Sequence, residues 1–224
     1  MRTDQLPIDG KKFADRRSAG ILLGRLLEKQ YKDRNVLVLG IPRGGIIVAA
    51  EVARILNGEL AAVITKKLPH PRLPEMAIGA AAEDGSTYLN AMALDVERDA
   101  LKQIIESQLT EIRNRTERFR NGKPLPPMYN RIVIVVDDGI ATGSTIVSAI
   151  KLCKNLKAAR VIAAVPVSGK KYLADIDQLA DEVIVTEKPE NFFSVGQVYH
   201  DFHPVSDTDV IKILNEMSRN RNRF

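Results

Sequence analysis

The segment richest in chemistry runs from Val133 to Thr145 and reads VIVVDDGIATGST. Ile132 to Val136 are all β-branched, which predicts a strand buried on both faces, as in the middle of a parallel sheet. Such a strand delivers Asp137 and Asp138 to its carboxyl end, the edge where open α/β sheets hold ligands. Small residues follow: Gly139, Ala141, Thr142, Gly143, Ser144 and Thr145. They let successive backbone N–H groups converge on one anion, and a helix starting at Ser144 adds its positive end. The hydroxyls of Thr142, Ser144 and Thr145 can donate as well. Together these features suit a monophosphate. A nucleotide P-loop is disfavoured, because Ser144 rather than a lysine follows Gly143. Two carboxylates would repel a phosphate unless they serve another group, and sugar hydroxyls, directly or with Mg2+, are the natural partners. Adjacent aspartates leave a strand on opposite faces, so the pair is expected to divide its work. Singly, Asp-Asp-Gly reads as a turn and Thr-Gly-Ser-Thr as a helix cap; their order after a buried strand favours a binding site.

Other candidates are less specific. GIPRGG, Gly40 to Gly45, also follows an apolar run and precedes a helical one. A dinucleotide fingerprint would need glycine where Pro42 stands, so a Rossmann cofactor is disfavoured. Lys66 and Lys67 end an apolar run, and which of them faces a ligand is left open. His70 and Glu75 read as solvated loop residues. His200 and His203 are three apart, but without a third His or Cys ligand nearby they read as surface histidines. Cys153 sits on an apolar helix face and reads as buried and inert; as the only cysteine it excludes a disulfide framework within the chain. Phe192, Phe193, Tyr199 and Phe202 could stack on a base, with core packing the default.

The elements that must position these residues alternate. Helical spacing predicts a helix over Ala19–Gln30 with Ile21, Leu22, Leu23, Leu26 and Leu27 on its apolar side. A strand at Val36–Leu39, a helix at Ile46–Leu56 and a strand at Leu60–Thr65 form one parallel unit. Lys66–Glu75, with Pro69, Pro71 and Pro74, reads as a long exposed loop without regular structure. Ala77–Ala82 and Thr87–Asn90 flank Asp84-Gly85 as a hairpin, and Asp95–Arg120 reads as a long charged helix. After Ile132–Val136 come a helix at Ser144–Leu156, a strand at Val161–Val167, a helix at Tyr172–Leu179 and a short strand at Glu182–Val185. A last helix at about Thr208–Met217 precedes a basic, frayed tail, Arg219–Phe224. The fold class is α/β: a doubly wound, mainly parallel sheet flanked by helices.

The chain has 224 residues, 45% of them hydrophobic, which suits one globular domain and argues against disorder. No apolar run is long enough to cross a bilayer and the N-terminus lacks a secretory pattern, so a cytoplasmic protein is expected. A net charge of +5 fits an anionic small ligand, a nucleic acid or merely a basic surface. No nucleic-acid motif supports the second.

The apolar strand, acidic pair and Thr-Gly-x-Thr resemble the motif by which type I phosphoribosyltransferases bind phosphoribosyl pyrophosphate (PRPP). FADRRSAGILL, GIPRGG, EMAIGAAAEDG and the aromatic NFFSVGQVYHDF resemble one branch of that family, mostly unassigned in substrate. The resemblance implies that Asp137 and Asp138 hold the ribose hydroxyls and, through them, Mg2+. It implies that Ala141 to Thr145 hold the 5′-phosphate, with Gly139 also among the PRPP-binding residues. Gly40 to Gly45 becomes the pyrophosphate loop, often carrying a strained or cis peptide, with Pro42 in it, Arg43 adding charge and Gly44 and Gly45 allowing close approach. Lys67 would reach the pyrophosphate. About 66–127 would be a flexible loop, hairpin and long-helix insertion, and about 186–224 a small hood and tail, all within a single domain, 1–224. The implied reaction transfers phosphoribose from PRPP to a nitrogenous acceptor, with a homodimer the expected assembly. A PRPP-sensing regulator that binds nucleic acid is the alternative.

Overall fold

A computed structural model describes residues 12–169 and 174–221. The strands are β1 (Leu37–Gly40), β2 (Glu59–Ala62), β3 (Thr65–Pro69), β4 (Ala77–Ala82), β5 (Thr87–Leu89), β6 (Ile132–Val136), β7 (Arg160–Val167) and β8 (Glu182–Glu187). The helices are α1 (Arg16–Tyr31), α2 (Gly44–Leu56), α3 (Arg98–Arg120), α4 (Ser144–Asn155), α5 (Ala174–Leu179) and α6 (Asp207–Arg221). None of the described helices is long and apolar enough to cross a membrane.

Five strands form a parallel sheet in the order β2-β1-β6-β7-β8. The unbroken β-branched run explains why β6 is central. Val133 and Val135 enter a core with Val147 and Ile150 of α4, while Ile134 and Val136 enter the opposite core with Leu23 and Leu27 of α1 and Val48 and Val52 of α2. Helices thus cover both faces. From β1 the chain returns to β2 on one side, and from β6 to β7 on the other. The crevice between the carboxyl ends of β1 and β6 is therefore the switch point of the sheet.

Several expectations change. The apolar side of α1 is narrower than predicted: Leu23 and Leu27 are buried, but Leu22 and Leu26 are exposed. The strand expected at Leu60–Thr65 divides between two sheets. Its partner β1 ends at Gly40, and the last backbone bond to it is Val63 N–H to Gly40 O at 3.0 Å. Thr65 then opens an antiparallel sheet ordered β3-β4-β5. The segment expected as a loop from Lys66 is paired as far as Pro69, which the sheet tolerates because β3 is an edge strand and the register shifts at Leu68/Pro69. His70 is buried rather than solvated. Its Nδ1 accepts from the N–H groups of Arg72 (3.1 Å) and Leu73 (3.2 Å).

The hairpin forms as expected around Gly85, whose φ of 84° suits the turn. Asp95 lies in a 3-10 turn, Ala91–Asp95, and α3 begins only at Arg98 after extended Val96. The last helix runs through Arg221, so Arg219 is helical rather than frayed; 222–224 lie outside the described residues. Tyr172, the expected start of α5, also lies outside them.

Candidate functional site

A cavity of about 330 Å³ opens at the switch point. The loop after β6 supplies most of its wall: Asp137, Asp138, Gly139, Ala141, Thr142, Gly143 and Thr145. Pro42 enters from the loop after β1, and Thr65 and Lys67 from β3. Val195 and Phe202 close it from the C-terminal segment. A larger cavity of about 530 Å³, between α3, the hairpin and α4, contains none of the acidic pair, the small-residue loop or the GIPRGG residues.

The local chain explains the loop. Gly143 takes φ 79° as the residue before α4, a left-handed turn that glycine adopts without strain. Ser144 starts the helix and is buried, while Thr142 and Thr145 line the cavity. The amino end of α4 thereby faces the space, with the positive end of its dipole toward an anion.

The two carboxylates have different surroundings. Asp137 Oδ1 accepts the N–H of Asp138 at 2.8 Å. Burial, and then the adjacent Asp138 carboxylate, hold the Asp137 carboxyl well above the usual carboxylate range; the Asp138 N–H bond and the charge of Lys67 oppose that rise. Asp138 Oδ2 instead accepts from Arg16 Nε at 2.7 Å. Arg16 Nη1 donates to the His203 carbonyl at 2.9 Å, and its guanidinium lies 3.8 Å from the Phe202 ring centre. The Tyr199 hydroxyl donates to the Asp138 carbonyl at 2.7 Å, and Tyr199 stacks on Phe202 with centres 5.0 Å apart. Helix α1, β6 and the C-terminal segment thus converge on one acidic residue.

The glycines after β1 explain how close this packing is. A Cβ on Gly44 would fall 1.9 Å from Asp138 Oδ2 and 2.7 Å from Arg16 Nε. One on Gly45 would fall 2.8 Å from the Asp137 Cα. What these glycines approach here is the acidic pair. The Pro42–Arg43 peptide is cis. The Arg43 side chain is half-exposed, 3.9 Å from Asp207 of α6, and does not line the cavity. The lysine pair is resolved: Lys67 lines the cavity, whereas Lys66 Nζ lies 3.8 Å from Glu111 of α3. Among the four aromatics, Tyr199 is buried, Phe193 is 88% exposed and Phe202 reaches the cavity.

Arg16, Thr65 and Val195 were missed as site residues. Arg16 shares a helical face with Ala19, Leu23 and Leu27, all buried, but it precedes the helix start expected at Ala19, so that periodicity is not extended to it. Arg17, one residue on, is 68% exposed. Thr65 shares one strand face with Lys67, a signal hidden because the strand is expected to end at Thr65 and Lys66–Glu75 reads as loop.

Among the described residues no group of three or more His, Cys, Asp or Glu side chains could hold a metal. With Asp138 Oδ2 taken by Arg16, the acidic pair fits a hard cation only if water and ligand oxygens supply most of its shell, as Mg2+ commonly accepts.

This architecture is that of a parallel α/β domain with its ligand site at the switch point, joined to a small antiparallel sheet. The chain belongs to the phosphoribosyl transferase domain family, whose match spans residues 11–203. Two relatives from Mycobacterium tuberculosis, strains CDC 1551/Oshkosh and ATCC 25618/H37Rv, are each 39% identical over 212 residues. Both carry the name "Putative phosphoribosyl transferase". The match covers 93% of this chain and 48% of theirs, so the chain spans about half the length of the curated relatives it matches. The crystal structure of TT1426 from Thermus thermophilus superposes with a TM-score of 0.79 at 39% identity, covering 92% of this chain and 98% of that one.

Proposed function

We propose that this chain is a PRPP-dependent phosphoribosyltransferase acting on a nitrogenous acceptor. The observation that carries this reading is the single cavity lined by Asp137, Asp138, the small-residue loop, Pro42 and Lys67. Gly139 and Ala141 to Thr145 bind the 5′-phosphate through backbone N–H groups and hydroxyls. Asp137 and Asp138 accept from the ribose hydroxyls, with Arg16 fixing the Asp138 carboxylate. Lys67 and the Pro42 loop take the diphosphate, and Gly44 and Gly45 let that loop lie against the acidic pair. Arg43 would join them by turning away from Asp207. Bound with the substrate, Mg2+ would neutralise diphosphate charge.

The acceptor nitrogen attacks C1 as the bond to pyrophosphate breaks, through an oxocarbenium-like transition state. The chain's contribution is alignment, stabilisation of the departing charge and exclusion of water. Phe202 and Val195 give the acceptor side an apolar wall, as part of the hood that the C-terminal segment would form. The reading extends to a cytoplasmic homodimer, which sedimentation and cell fractionation would check.

The test is pyrophosphate release from PRPP with Mg2+ against purines, pyrimidines and other nitrogenous acceptors, with Asp138→Asn as control. Acceptor-dependent release lost in the variant is expected. PRPP binding without release from any acceptor would sink the transferase reading in favour of a PRPP sensor.

A further inference from the structure

Thr65 opens β3 and is only 8% exposed, and its Oγ1 has no hydrogen-bond partner. It nevertheless lines the switch-point cavity. Thr116, Ser148 and Thr186 also carry unpartnered buried hydroxyls, but none of them lines this cavity. A buried hydroxyl without a partner is costly and uncommon, so an acceptor supplied from outside the chain is the natural explanation.

The strand indicates which acceptor. Side chains alternate along β3. Lys66 faces α3 beside Glu111, and Leu68 is buried with Ile112 and Phe119 of the same helix. Thr65 and Lys67 take the other face and line the cavity together. Two residues apart on a strand, they stand about 6.6 Å apart, close enough to serve one extended anionic group. The 5′-phosphate loop has hydroxyls of its own, Thr142 and Thr145, so the Lys67 side calls for a second anion. Diphosphate oxygens are acceptors, and they can take a hydroxyl proton beside an ammonium.

We propose that the Thr65 hydroxyl donates a hydrogen bond to the diphosphate end of the ligand, beside Lys67, and so favours diphosphate-bearing sugars over ribose 5-phosphate. This rests on reading the cavity as a PRPP site and adds to it a residue outside the motif loops.

The experiment compares Thr65→Val and Thr65→Ser in the full chain. Binding of PRPP, inorganic pyrophosphate and ribose 5-phosphate is measured with Mg2+, alongside thermal melting. Thr65→Val is expected to weaken PRPP and pyrophosphate about tenfold or more while sparing ribose 5-phosphate. Its melting temperature should not fall, because an orphaned hydroxyl has been removed, and Thr65→Ser should stay near the parent. Should the valine variant not fold, Thr65→Ala removes the same hydroxyl. Unchanged pyrophosphate affinity, or an equal loss for ribose 5-phosphate, would overturn the assignment. A parent that binds pyrophosphate but not PRPP would end the transferase reading while the pyrophosphate arm still judges Thr65. A parent that binds neither would end both.

Discussion

Replacing Arg16 with methionine removes the cation that holds Asp138 while keeping a long apolar stem against Phe202. The two charged side chains are 10% and 17% exposed and 2.7 Å apart. Breaking a fully buried pair costs about 3–5 kcal/mol, and the residual exposure of Asp138 favours the lower end, about 3 kcal/mol. The His203 carbonyl also loses a donor, which adds about 1 kcal/mol; methionine packing on the aromatic ring offsets part of it. For a domain of this size about 3 kcal/mol lowers the melting temperature by about 6–12 °C. The assay is a double-mutant cycle in urea at neutral pH: parent, Arg16→Met, Asp138→Asn and the double variant. The double variant leaves no buried unpaired charge, so it should be less destabilised than the sum of the singles by about 2 kcal/mol. Additivity within about 0.5 kcal/mol would refute the argument that Arg16 acts through Asp138.

Three further outcomes are expected. Gly44→Ala places a Cβ 1.9 Å from Asp138 Oδ2, so the Arg16–Asp138 contact must shift. We expect a loss of about 1–3 kcal/mol in urea and weakened PRPP binding; parental values of both would contradict the packing described. Because the folded chain holds the Asp137 proton more tightly than the unfolded chain, its stability should fall as pH rises from the ordinary carboxylate range toward the raised value. Asp137→Asn should flatten that slope and be the more stable protein at neutral pH, as urea midpoints across pH would show; parallel slopes would count against it. Cys153 is buried and its thiol pushed up to about 12, so a thiol reagent should label it only at the rate of unfolding. Rapid labelling of the native chain would disprove that.

The central sheet and the motif loop are legible in the residues alone, because both are written in local order. A run of β-branched residues can only be satisfied by burial on two faces, and it fixed β6 and with it the place of Asp137 and Asp138. Gly143 between the small residues fixed the turn into α4. The same logic failed where pairing is non-local. Three prolines made Lys66–Glu75 look irregular, yet β3 exists because β4 lies beside it and because Pro69 falls at an edge. His70 looked solvated, but the turn closes around its ring.

Which lysine faces the cavity emerges only from the packed fold, because that depends on which side of β3 α3 covers. Only that fold brought Arg16 to Asp138, 122 positions away in the chain, and His203 and Phe202 to Arg16. Sequence periodicity can say that a side chain points inward. What it meets there is set by how helices and sheet pack, and no local pattern encodes that partner.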